Sequence, residues 1–62
     1  MITNPKFDRI MTVPEVADYL QISKSKLYYL VQKKKIPHIR IQRNVRIFES
    51  DLVEWLKKNK EN

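Results

Sequence analysis

Thr12-Val13-Pro14-Glu15-Val16-Ala17-Asp18-Tyr19-Leu20 is followed at once by Gln21-Ile22-Ser23 and then by Lys24-Ser25-Lys26-Leu27-Tyr28-Tyr29-Leu30-Val31-Gln32. Both halves of this stretch carry a helix start. Thr12, with Glu15 three residues on, has the form of a capping box, in which each side chain satisfies the other's backbone N–H. Pro14 stands in the first turn, where a missing N–H costs nothing. Val13, Val16, Ala17 and Leu20 fall at i, i+3, i+4 and i+7, a single apolar stripe that predicts a helix over 13–20. Ser23 is a second N-cap. It predicts a helix over 24–34 with Leu27, Leu30 and Val31 inward and the stem of Lys34 lying along the edge. Two short helices joined by so brief a turn predict a helix-turn-helix.

C-terminal to this pair, Ile36-Pro37 ends the helical region, because proline cannot continue it. The apolar period then changes from 3.6 to 2. His38-Ile39-Arg40-Ile41 alternates, as does Val45-Arg46-Ile47, with Gln42-Arg43-Asn44 between them. A β-hairpin over 38–47 is expected. A three-residue loop pairs Ile41 with Val45 and Ile39 with Ile47, so that all four apolar residues share one face. A two-residue loop mixes the faces, so the three-residue register is the expected one. It sets Arg40 opposite Arg46 on the outer face and Arg43 at the tip. Ser50 is the expected N-cap of a last helix over 51–59, with Asp51 and Glu54 early, Leu52, Trp55 and Leu56 inward, and Lys57, Lys58 and Lys60 closing it. The chain has no glycine, which places the demand for left-handed backbone on Asn44 and Asn59. The expected core is Val16, Leu20, Leu27, Leu30, Ile39, Ile47, Leu52, Trp55 and Leu56. Helix, helix, hairpin, helix is a mostly α fold with a small β-hairpin, the order of a winged helix-turn-helix. Residues 11–60 form the domain, and residues 1–10 an N-terminal arm broken by Asn4-Pro5, with Phe7 and Ile10 able to tie it to the core.

Composition narrows the function. With 62 residues and no cysteine, the core comes from apolar packing alone, without disulfide or thiolate metal site. Thirteen lysines and arginines face seven acidic residues, a formal net charge of +6 and a pI near 9.8. Such a domain favours a polyanion. There is no apolar run of transmembrane length, and residues 1–10 lack the apolar centre of a signal peptide. A cytoplasmic protein without a membrane partner is expected. A catalytic site needs converging titratable groups, yet His38 is the sole histidine and a glycine-rich phosphate loop is excluded. No catalytic residue, metal or cofactor is expected, and the chain is not expected to be an enzyme.

The candidate contacts to nucleic acid lie on two elements. On the second helix they are Ser23, Lys24, Ser25, Lys26, Tyr28, Tyr29, Gln32 and Lys33. Ser25, Lys26, Tyr29 and Gln32 are expected to face the major groove, with Ser23 and Lys24 nearer phosphate. Tyr29 suits a phosphate or a thymine methyl, and Gln32 suits adenine. On the hairpin they are Arg40, Arg43, Asn44 and Arg46. Like charges facing across a ladder repel, and an anion relieves them; the plainer alternative is an edge charged against aggregation. Arg43 is expected to enter or rim the minor groove. Trp55 belongs to the core, and the lysines of the last helix to a solvated face.

Met11 to Leu20 resembles the opening of the excisionase-type, MerR-like helix-turn-helix domains. Ile22-Ser23-Lys24-Ser25-Lys26-Leu27-Tyr28 is similar to their turn and recognition helix, Ile36-Pro37 to their approach to the wing, and Ser50-Asp51-Leu52-Val53-Glu54-Trp55-Leu56 to their closing helix. The resemblance runs from Met11 to Lys58. Lys35 and Gln42 stand where such domains often have glycine. The resemblance implies a sequence-specific double-stranded-DNA-binding accessory protein of a mobile element. An excisionase, or recombination directionality factor, binds and bends attachment-site DNA to assist a tyrosine integrase. The implied partners are duplex DNA, such an integrase and neighbouring copies of the chain on DNA. With one helix after the wing, no small-molecule effector is expected. A small phage or plasmid transcriptional repressor uses the same contacts and stays open, as does an adaptor whose basic face meets an acidic protein.

Overall fold

The computed structural model describes residues 8–61, so most of the expected arm, Phe7 included, and Asn62 lie outside the described residues. The chain runs β1 (Ile10–Thr12), α1 (Val13–Leu20), α2 (Lys24–Gln32), β2 (Ile39–Ile41), β3 (Asn44–Phe48) and α3 (Glu49–Lys58). The strands form one antiparallel sheet in the order β1-β3-β2. This is a winged helix-turn-helix, mostly helical, with the β2–β3 hairpin as the wing. No helix among the described residues is long and apolar enough to cross a membrane.

The capping box of α1 forms as expected. The Glu15 N–H donates to Thr12 Oγ1 at 3.3 Å and the Thr12 N–H donates to Glu15 Oε1 at 2.9 Å. Arg9 pairs with the same carboxylate at 3.1 Å. The Thr12 backbone N–H above all, with Arg9 adding to it, holds the Glu15 carboxyl below the usual carboxylate range. Both helices of the pair end in Schellman motifs built without glycine. After α1, Gln21 has φ 59°; its N–H donates to the Asp18 carbonyl at 3.1 Å and that of Ile22 to the Ala17 carbonyl at 3.0 Å. After α2, Lys34 has φ 58°; its N–H donates to Val31 and that of Lys35 to Leu30, at 3.0 and 2.8 Å. This motif stops α2 at Gln32, two residues short of the expected 34. Ser23 caps α2 as expected, its Oγ accepting the Lys26 N–H at 3.0 Å.

The hairpin departs from expectation. Ile41 pairs with Asn44, Arg40 with Val45 and Ile39 with Arg46, so the loop has two residues, Gln42 and Arg43. The third left-handed residue is Gln42, φ 56°, at the first turn position, where type II′ turns favour glycine. Asn44 is an ordinary strand residue and Asn59 has φ −98°; neither takes the left-handed role expected of it. On its other edge β3 pairs with β1, an additional strand at Ile10–Thr12. Met11 pairs with Ile47, and both are buried. With Val45 and Ile47 turned to the helices, the sheet's inner face is already closed over the core. β2 lies at the far edge, where its inward residue meets an open groove instead of a helix. That inward residue is Arg40; Ile39 and Ile41, paired with Arg46 and Asn44, fall on the outer face, where Ile39 is half-buried outside the core and Ile41 is 52% exposed.

The start of α3 also differs. The N-cap is Phe48, which offers no side-chain acceptor, and Ser50 lies inside the first turn. The cap comes from the other end of the chain. Asp8 accepts the Ser50 N–H at 3.1 Å and the Ser50 hydroxyl at 2.8 Å, and the Arg9 carbonyl accepts the Glu49 N–H at 2.8 Å. A carboxylate suits the positive end of a helix, and here it sews the residues before β1 to α3. Of the expected core, Val16, Leu27, Ile47 and Leu52 are the largest fully buried side chains, while Leu20, Leu30, Trp55 and Leu56 pack partly buried against them. Trp55 also donates its indole N–H to the Lys35 carbonyl at 2.7 Å, pinning the segment between α2 and the wing.

Candidate nucleic-acid interface

α2 turns Leu27 and Val31 into the core. Lys24, Ser25, Lys26, Tyr28, Tyr29, Gln32 and Lys33 are all exposed. About half the surface of each tyrosine is open, 51% for Tyr28 and 48% for Tyr29. Ser25, Tyr29 and Gln32 follow one another at i, i+4 and i+7, so they form a single outward row. The Lys33 ammonium lies 5.8 Å from the Tyr29 ring centre, a cation–π distance that steadies both side chains. Ser23 is exposed; its oxygen accepts the cap bond, which leaves its hydroxyl hydrogen and one lone pair for other partners.

An open groove of about 470 Å³ separates the C-terminal half of α2 from the wing. Tyr28, Gln32 and Lys34 line it from the helix side, and His38, Arg40, Arg43, Asn44 and Arg46 from the wing side. Val13, Pro14, Val31 and Val45 complete the lining. The observed register gives Arg40 its place here. Directly paired residues share a face, so Arg40 lies on the inner side with Val45, while Arg46 pairs with Ile39 on the outer side. Arg40 and Arg46 are therefore not opposite each other, and the cross-strand repulsion expected between them does not arise. Arg46 is half-buried and folds back, its Nη1 donating to the Val45 carbonyl at 2.8 Å. Arg43 occupies the second turn position and is exposed.

The fold thus presents a capped, outward-facing second helix and a basic hairpin on either side of one cation-lined groove. A family model for the helix-turn-helix domain matches residues 10–60. The chain belongs to the helix-turn-helix domain family. In such domains the second helix is the one offered to DNA, and here that helix is α2. No curated protein and no solved structure matches the chain.

Two groups of this helix-turn-helix domain that line the groove escaped sequence reasoning. Lys34 was expected along the apolar edge of a longer helix. In the left-handed position it leaves the helix line and joins the groove lining. His38 was weighed only as a catalytic or metal residue. It shares the inner side of the hairpin with Arg40, two residues on, and the alternation carried that signal. Its Nδ1 lies 2.9 Å from the Ile36 carbonyl. A carbonyl only accepts, so Nδ1 carries the hydrogen of this bond.

Proposed function

We propose that the chain is a sequence-specific double-stranded-DNA-binding accessory protein of a mobile element. In this reading it is an excisionase that binds and bends attachment-site DNA for a tyrosine integrase. The observation that carries the DNA-binding part is the groove between α2 and the wing, with Lys34 on one side and Arg40 and Arg43 on the other. A helix in the major groove and a hairpin at the neighbouring minor groove have one sugar–phosphate strand between them. A polyanionic strand needs cations along that line. Ser25, Lys26, Tyr29 and Gln32 then face base edges, and Arg43 reaches the minor groove, where A·T tracts concentrate negative potential. The protein acts in the cytoplasm by binding and shaping DNA, without catalysis of its own. The resemblance of Met11–Lys58 to excisionase-type domains supports the excision part. One reading helix per monomer is too little for a long site, so several copies on neighbouring sites are part of the proposal.

The test is footprinting and gel bending on the element's own attachment DNA, followed by a reconstituted excision reaction. Several adjacent footprints, a bend and stimulated excision are expected. A single footprint over a promoter, with no effect on excision, replaces the excisionase with a repressor. Binding to acidic proteins but not to duplex DNA at any salt concentration replaces both with an adaptor.

A further inference from the structure

The wing carries isoleucines where the core has no use for them. Ile39 shares the outer sheet face with Arg46, and Ile41 lies beyond it, opposite Asn44 and next to the turn. Ile41 is 52% exposed. The alternative three-residue register points both isoleucines inward and needs no left-handed glutamine. The chain instead leaves Ile41 in water and holds Gln42 at φ 56°, both unfavourable for a free protein. The result is an apolar strip with Arg46 on the same face and Arg43 two residues on from Ile41.

We infer that the outer face of the wing is a non-ionic contact surface for the DNA minor groove, with Ile41 lying against its deoxyribose wall beside Arg43. The inference rests on the reading that α2 and the wing bind duplex DNA. The minor groove matches this surface in kind. Its walls are sugar C–H groups and its rims are phosphates, so an apolar centre flanked by guanidinium groups meets each with its own chemistry. Arg43 responds to the potential of the groove. Ile41 adds contact that salt does not screen. Apolar side chains pressed into a minor groove also loosen base stacking and bend the duplex, so Ile41 couples wing binding to DNA shape. Ile39, half-buried two residues back, lies on the same face of the strand.

The discriminating variant is Ile41→Thr, which keeps a β-branched side chain in the strand and removes apolar surface; Ile41→Val is its control. Binding to a duplex with A·T-rich flanks is titrated over a range of salt, and bending is read by gel phasing. Ile41→Thr is expected to bind about three- to tenfold more weakly at every salt concentration. Its slope of log affinity against log salt stays unchanged and its bend is smaller. Ile41→Val stays within about twofold of the parent, again from the small change in apolar area. Arg43→Ala, in contrast, lowers the slope. Parent-like affinity and bend for Ile41→Thr overturn the inference and leave the DNA-binding reading intact. A lowered slope also overturns it, since the loss is then ionic. If the unsubstituted chain fails to bind duplex DNA, the underlying reading falls and this inference with it.

Discussion

The helix-turn-helix, residues 12–33, and the wing, residues 39–48, are held together by different kinds of contact. In the first, the bonds that start and stop each helix span five residues or fewer: Thr12 to Glu15, Ile22 to Ala17, Ser23 to Lys26, Lys35 to Leu30. In the second, the central strand is set by pairing with β1, more than thirty residues away, as in Met11 with Ile47. The outcome for apolar residues differs accordingly. Leu27 and Val31 of α2 are buried, whereas Ile41 of β2 is half open to water. Where local bonds set an element's orientation, its apolar pattern points to the core. Where an element is the edge strand of a sheet, as β2 is, the pattern is only a candidate that the strand register can overrule.

The largest effect expected from this contrast is on stability. Leu27→Ala should cost about 2–5 kcal/mol in a urea titration, because it empties a fully enclosed site. Ile41→Thr should stay within about 0.5 kcal/mol of the parent, as exposed substitutions do. A loss at Ile41 comparable with that at Leu27 would mean that the wing packs in the three-residue register after all. The two regions should also divide the work on DNA. Gln32→Ala should remove about 1–3 kcal/mol of base discrimination at one position. Arg43→Ala should weaken binding chiefly at A·T-rich flanks and lower the salt slope by about one unit, with the melting temperature nearly unchanged. Equal loss on all sequences for Gln32→Ala would remove α2 as the reader.

Smaller effects sharpen the same comparison. Asp8→Ala takes the distant cap from α3 and should cost about 1 kcal/mol, in the range of helix caps generally. A neutral result would show that α3 starts on its own. Gln42→Gly relieves the left-handed strain but adds backbone entropy to the unfolded chain, for a net gain of about 0.5 kcal/mol. A loss there would mean that the glutamine side chain supports the turn. The smallest effect is at Glu15. Its carboxyl is held low in the folded state, so its contribution is present above the ordinary carboxylate range and lost as pH falls through the lowered value. Glu15→Gln should therefore flatten the acid side of the stability profile and leave the profile near neutral pH parallel to that of the parent. An acid limb identical to the parent's would show that the capping carboxylate is not coupled to folding.

From the sequence alone, α1 was legible to the residue, α2 to within two residues at its end, and the helix, helix, hairpin, helix order in full. Capping boxes, serine caps and a 3.6-residue stripe are short-range chemistry, and any one of them is visible within a few positions. The exposed face of α2 followed from the same periodicity, which is why Ser25, Tyr29 and Gln32 lie where they were expected. The tertiary structure alone decided the rest. It brought β1 against β3, gave Asp8 the cap that Ser50 was expected to supply, moved Lys34 and Arg40 to the groove and turned Ile41 outward. Each depends on groups far apart in the chain meeting at an element's edge or end. No local pattern encodes which of two hairpin registers forms, because both bury Val45 and Ile47 and they differ only in the face that Ile39, Arg40 and Ile41 of the edge strand take.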